Sequence, residues 1–292
     1  MRQSIREDNS FVVDLLTTLH KDRFSLAAWW HFLVRSWNMS RQTAWNTPSL
    51  TRSWFHVTML MGVLAGGVCI SVGLFEGPLT VLRLLSGFVF CIAWQQCDTF
   101  WHLGLNRHVQ TGNIFPTLGI ANILTGLRGL GASFLLGRLL GGLATPTWLA
   151  FSVFLFGVVT DILDGQVAWL THTQSKLGQI IDGETDFALY LVLSIILMQN
   201  AILPLWVGLV LILRFFVPLI AALVSYFLLA HPVRFGSTLW GKCAGLAQCL
   251  YFFVLLTPPQ LMFITHIANL PLLIATLVLT IVAPIAQIIG NL

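Results

Sequence analysis

The chain has 292 residues, of which 57% are hydrophobic and only 9% charged, with a formal net charge of +4. Soluble domains carry roughly 25% charged residues, so this composition excludes a soluble globular protein and calls for a membrane as solvent. No basic run or basic–aromatic stripe of the kind that binds nucleic acid is present.

Residues 1–54 open on the polar segment MRQSIREDNS with no apolar core directly behind it, which argues against a cleaved secretory signal. Phe11, Val12, Leu15, Leu16 and Leu19 recur at helical spacing, and Trp29, Trp30, Trp37, Trp45 and Trp54 stand among mixed charges. That pattern predicts amphipathic helices lying in the membrane interface, anchored by tryptophan. A spanning helix needs about 20 mostly apolar residues. Eight segments qualify, near 55–75, 78–97, 127–143, 146–164, 184–202, 204–229, 243–258 and 265–289. The third is short and holds Arg138, and an amphipathic stretch over 114–126 precedes it. Pro78, Pro146, Pro204, Pro258 and Pro259 fall at or near segment ends, where proline costs a helix little. The five cysteines include no CxxC pair and read as free core hydrophobes.

Basic residues set the expected orientation. Arg2, Arg6, Lys21, Arg23, Arg35, Arg41 and Arg52 lie before the first span, and Arg107, Lys176 and Arg234 fall in loops on the same side. The opposing loops hold none. Eight spans with both termini in the cytoplasm satisfy this bias.

The acidic residues are the sharpest signal. Five of eleven lie between Asp161 and Asp186, and none follows. A carboxylate at membrane depth is costly unless paired, metal-bound or wet, so an ionisable residue here marks a functional site by default. Asp161 and Asp164 share one helical face at i, i+3, and Asp182 and Asp186 share another at i, i+4. The short segment between the pairs cannot cross a bilayer and return, so both pairs belong at facing helix ends on one side. Four converging carboxylates repel unless divalent cations neutralise them, and hard oxygen donors suit Mg²⁺, Mn²⁺ or Ca²⁺. Gly165 and Gly178 leave backbone open beside them. Carboxylates, divalent ions and glycines together fit chemistry on a diphosphate.

The segment resembles the signature of the CDP-alcohol phosphatidyltransferases, D-x2-D-G-x2-A-R-x8-G-x3-D-x3-D. Asp161, Asp164, Gly165, Ala168, Gly178, Asp182 and Asp186 match it at every spacing, and Ser175 supplies the family's common S-x-x-G. Trp169 stands where arginine is usual. Asn122, Thr125 and Arg128 resemble the family's N-x-x-T-x-x-R, and Gly241, Lys242 and Gln248 resemble a weaker G-K element. The resemblance implies an all-α membrane protein with a six-helix catalytic core over 112–292. Residues 1–54 (interfacial) and 55–111 (two further spans) would lie outside that core.

It further implies transfer of a phosphatidyl group from a CDP-linked lipid, usually CDP-diacylglycerol, to an alcohol with release of CMP. Two Mg²⁺ or Mn²⁺ ions would be held by Asp161, Asp164, Asp182 and Asp186, with Asp186 also the general base. Asn122, Thr125, Asp164, Gly165, Ala168 and Gly178 would take the CDP-lipid, and a homodimer is a family expectation. Arg128, Arg214, Arg234 and Lys242 are the candidates for binding a small acceptor alcohol and any phosphate on it. For Arg214, mid-helix, the competing reading is a structural pair to backbone carbonyls. Glu184 lies off the aspartate face and receives no role. Asp98, His102 and His108 form a small polar cluster after the second span, read as a helix end facing water or headgroups.

Two other functions use such carboxylates. Membrane prenyltransferases also pair aspartates and Mg²⁺ on a diphosphate, but their motifs lie far apart in sequence, whereas one short loop joins these. A divalent-cation transporter would place carboxylates near the midplane of repeated halves, and no second copy of this segment exists.

Overall fold

The computed structural model describes residues 16–108, 111–224, 239–257 and 262–291. Residues 16–21 are helical, and nine longer helices follow: α1 (Leu26–Asn46), α2 (Pro48–Glu76), α3 (Pro78–Trp101), α4 (Gly119–Leu140), α5 (Thr147–Leu170), α6 (Lys176–Gln199), α7 (Leu205–Leu223), α8 (Leu239–Leu256) and α9 (Met262–Asn291). Two isolated β-bridges, Arg107 to Ile114 and His108 to Ser175, are the only extended pairings among the described residues. The protein is an all-α integral membrane protein.

Among the described residues, six helices are long and apolar enough to cross a membrane: Pro48–Glu76, Pro78–Trp101, Gly119–Leu140, Thr147–Leu170, Leu239–Leu256 and Ile267–Ala286. The two other expected spans differ for physical reasons. Helix α6 carries Lys176, Asp182, Glu184 and Asp186 in its first half, which leaves only its second half free of charge. In α7 the apolar part is the shorter Leu205–Val217, and residues 225–238 lie outside the described residues.

Local chemistry explains the starts of the first three long helices. Proline opens α2 and α3 at the first helical turn, where its missing N–H is no loss. Ser25 caps α1, its Oγ accepting from Ala28 N at 3.2 Å. The stretch 114–126 is not a separate amphipathic element, because α4 already begins at Gly119 and runs unbroken to Leu140. Its glycines do not break it, since packing against neighbouring helices replaces the propensity they lack. Likewise α5 continues to Leu170 and α6 starts at Lys176, so the aspartates sit inside helices, more than a turn from their ends.

The described residues fall in two compact units. One takes in those up to Thr145 together with Val153–Val192, the other Pro146–Ser152 together with those from Leu193 onward. In the first unit α3 lies along α4, with Leu84, Phe88 and Leu135 fully buried. Lipid gives apolar side chains little reason to leave it, so close packing by small residues drives such contacts. A Cβ added at Gly137 would sit 2.8 Å from Phe88 Cβ and 2.9 Å from Phe88 N. At the far end of this helix pair, Arg138 Nη1 donates to Glu76 Oε1 at 2.7 Å and Nη2 to Ala144 O at 2.6 Å.

Helix α1 docks on the opposite end of α3. Trp37 packs edge-on against Trp101 and Trp101 Nε1 donates to Ser36 Oγ at 2.8 Å, while Trp54 Nε1 of α2 donates to Gln96 O at 3.1 Å. Trp30 and Trp45 instead stay 67% and 87% exposed, free to anchor in an interface. Phe11, Val12 and Leu15 lie outside the described residues, while Leu16 and Leu19 are buried. None of the five cysteines forms a disulfide. In the second unit α9 packs along α8 and against α7.

Candidate active site

Three helices of the first unit bring the acidic signature together. Helix α4 contributes Arg128, α5 contributes Asp161 and Asp164, and α6 contributes Asp182 and Asp186. The Arg128 side chain is 1% exposed and lies beneath the carboxylates. Its Nη1 donates to Asp161 Oδ1 at 2.5 Å and lies 3.6 Å from Asp164 Oδ2. Its Nη2 donates to Asp182 Oδ1, and Nε lies 3.3 Å from Asp186 Oδ1. Asp161, Asp182 and Asp186 remain 48%, 44% and 36% exposed, so the arrangement is a bowl with a cation at its base and an open carboxylate rim.

One guanidinium faces four carboxylates, which leaves three negative charges unmatched. Two like charges about 4 Å apart repel by roughly 4 kcal/mol at the effective dielectric of a protein surface. Carboxylate oxygens of Asp161, Asp182 and Asp186 lie within 4.8 Å of one another. Oxygen ligands about 2.0–2.6 Å from Mg²⁺ or Ca²⁺ stand at such separations from each other. The donor set therefore fits a hard divalent cation in both charge and spacing.

Asp164 stands apart from that trio. It is 9% exposed, and Thr125 Oγ1 donates to its Oδ2 at 2.8 Å. The N-x-x-T-x-x-R motif thus holds the cage from one face of α4. Asn122, a turn before Thr125, meets α6 at Gly178, where an added Cβ would fall 2.9 Å from Asn122 Oδ1. Gly178 N donates to Ser175 Oγ at 3.0 Å, so the S-x-x-G pair is the N-terminal cap of α6. Beside the carboxylates, Gly165 has nothing within 4 Å of an added Cβ, and Ala168 is half-buried.

Two glycines of the site were not legible as functional. Gly157, a turn before Asp161, lets α5 approach α6: a Cβ there would come 2.6 Å from Leu189 Cδ2 and 3.6 Å from Arg128 Cγ. Gly183, between Asp182 and Glu184, opens onto free space as Gly165 does. The i−4 spacing of Gly157 from Asp161 was the available signal.

Arg128 is engaged by the aspartates. Arg214 belongs to the second unit, where it donates to Gln248 Oε1, to Ala244 O at 3.1 Å and to Gly241 O at 3.4 Å. Lys242 is exposed at the start of α8, and Arg234 lies outside the described residues. Trp169 is 66% exposed on α5. His102, just past α3, lies 3.3 Å from Asp98 Oδ2. Burial lowers its pKa, but the hydrogen bond and charge of Asp98 more than offset this and leave it raised.

A family model described as CDP-alcohol phosphatidyltransferase matches residues 118–282, which include α4 and both aspartate pairs. No curated protein and no solved structure matches the chain.

Proposed function

Because the chain belongs to the CDP-alcohol phosphatidyltransferase family, it is a membrane phosphotransferase of phospholipid synthesis, and we propose that it moves a phosphatidyl group from CDP-diacylglycerol to a small alcohol. The observation that carries this reading is the meeting of three carboxylates within 4.8 Å above one buried arginine. Asp161, Asp164, Asp182 and Asp186 would hold two divalent ions, Mg²⁺ or Mn²⁺, whose charge neutralises the diphosphate and the departing CMP. Arg128 holds the four carboxylates together from below. Gly165, with Ala168, lets the cytidine diphosphate lie against the backbone of α5, while Gly178 seats Asn122 against α6 so that Asn122 and Thr125 border the ligand from α4.

In the reaction the acceptor oxygen bonds to the phosphorus that carries the lipid. The bond from that phosphorus to the CMP oxygen breaks, and the acceptor's proton passes to an Asp186 oxygen. Asp186 suits that task because its carboxylate reaches the open rim while Arg128 Nε anchors its other side. Arg214, Arg234 and Lys242 are proposed for any phosphate on the acceptor.

The test is release of CMP by purified protein given CDP-diacylglycerol, Mg²⁺ or Mn²⁺ and a panel of acceptors. Chelation should abolish release, and Asp186→Asn should lower kcat by about 10²–10⁴-fold. Release that survives Asp186→Asn would remove the base assignment, and none with any acceptor would remove the donor.

A further inference from the structure

Helix α4, which carries Arg128, is held by two helices that lie outside the family match. That match begins at residue 118, after α2 and α3 have ended. At the start of α4, Leu118 N donates to Ser53 Oγ of α2 at 3.1 Å, a bond that no side chain at the helix's own cap position supplies. About two turns on, Gly126 comes so near α2 that an added Cβ would lie 3.0 Å from Met61 Cε. Gly129 faces α3. A Cβ there would overlap Gln95 Nε2 and fall 2.7 Å from Gln95 Cδ and 2.9 Å from its Oε1. The Gln95 amide therefore rests on bare backbone, and its Nε2 also donates to Gly126 O at 3.5 Å.

Gln95 is itself set in place from α2 through its neighbour. Gln96 is buried, its Oε1 accepts from Thr58 Oγ1 at 3.0 Å, and its backbone oxygen accepts from Trp54 Nε1 at 3.1 Å. On α4, Arg128 and Gly129 are consecutive, so about 100° of helix turn separates them. One side chain reaches into the carboxylate bowl while the next position meets α3. Helix α4 cannot rotate under Arg128 without driving Gly129 against the Gln95 amide or away from it. A rotation of about 10° would carry a group about 6 Å from the helix axis through roughly 1 Å. Working sites are held to within about 0.5 Å, so slack of that size would spoil the cage.

We propose that Gln95 is a positioning residue for the aspartate cage: its amide, seated on Gly129, fixes the rotation of α4 and so keeps Arg128 beneath the four carboxylates. Helices α2 and α3 then belong to the working site and are more than an added anchor. This role rests on the bowl being a divalent-metal site, and not on which donor or acceptor it serves.

The test titrates Mn²⁺ into purified full-length protein and reads the rise in melting temperature, alongside the metal dependence of CMP release. Gln95→Ala removes the amide. Gly129→Ala displaces it, since the amide is the movable end of a long side chain. Both variants keep the charge of Arg128 and disturb only the geometry above it. Each should raise the Mn²⁺ concentration for half-saturation about tenfold, the lower end of what losing an outer-shell partner costs a metal site. Because both act on one contact, the double variant should also stay near tenfold, not the roughly hundredfold of independent effects. Gly137→Ala strains the same pair of helices about two turns further along and should lower stability while leaving half-saturation unchanged. Unchanged half-saturation in both Gln95→Ala and Gly129→Ala, multiplying effects in the double variant, or an equal shift in Gly137→Ala would each overturn the proposal. Wild type that binds metal but releases no CMP would remove the transfer reaction and leave the positioning role standing. Wild type whose melting temperature ignores metal would remove the cage and the role with it.

Discussion

Arg128 does in this fold what no single aspartate does: it lets four carboxylates occupy one bowl before any metal arrives. Removing it leaves those charges facing each other, and breaking a buried ionic cluster typically costs about 3–5 kcal/mol. Arg128→Met should therefore lower the melting temperature of metal-free protein, and Mg²⁺ should restore more stability to the variant than to wild type. Equal metal-induced shifts in the two would show that the guanidinium is not a counter-charge. His102 gives a pH-dependent counterpart. Its pKa is raised by Asp98 in the folded chain, so its contribution is full below the unfolded value near 6.5 and fades as pH rises through the folded one. His102→Gln should cost up to about 1 kcal/mol at pH 6 and little at pH 9, read from thermal unfolding at each pH. The aspartates themselves were legible because acids are so scarce in an apolar chain that spacing alone exposes them. Arg128 was legible only as a motif residue, because linear sequence does not say which way a buried guanidinium turns.

Helix boundaries were less legible than helix existence, and the reason is tertiary. Hydropathy alone divides residues 114–126 from the span after them, because Asn122, Thr125 and Arg128 are polar. In the fold those residues continue α4, since each finds a partner across the site: Gly178, Asp164 and the aspartates respectively. The same contacts predict which substitutions the helices refuse. Gly178→Ala would press a methyl against Asn122 Oδ1 from 2.9 Å. That should depress CMP release several-fold while changing stability by no more than about 1 kcal/mol, because a polar side chain can yield. Gly137→Ala meets the Phe88 backbone nitrogen at 2.9 Å, which cannot yield without moving α3. Overpacking of that kind costs about 1–3 kcal/mol, so this variant should lose melting temperature first and activity only as it unfolds. The reverse ranking would mean that α3 and α4 are not packed through their glycines.

The first unit has two chemically different ends, which makes its orientation in the membrane testable. Arg138 ties Glu76 and Ala144 together at one end. The His108–Ser175 bridge and the α1–Trp101 contacts gather the connections around the aspartate bowl at the other. Helix α4 joins these ends with 22 residues, about 33 Å at 1.5 Å per residue, close to the roughly 30 Å hydrocarbon core. Lys21, Arg23, Arg35, Arg41, Arg52, Arg107 and Lys176 all belong to the bowl end, while the turns after α2 and α4 carry no basic residue. The positive-inside rule then predicts a cytoplasmic bowl, where CDP-linked lipids and soluble alcohols would meet. Single reporter cysteines, Gln174→Cys at the bowl end and Ala144→Cys at the other, placed in a chain stripped of its five native cysteines, decide it. An impermeant maleimide added to intact cells should label the cysteine at 144 and reach the one at 174 only after permeabilisation. The opposite pattern would put the aspartates outside and remove the cytoplasmic assignment, while leaving the cage chemistry untouched.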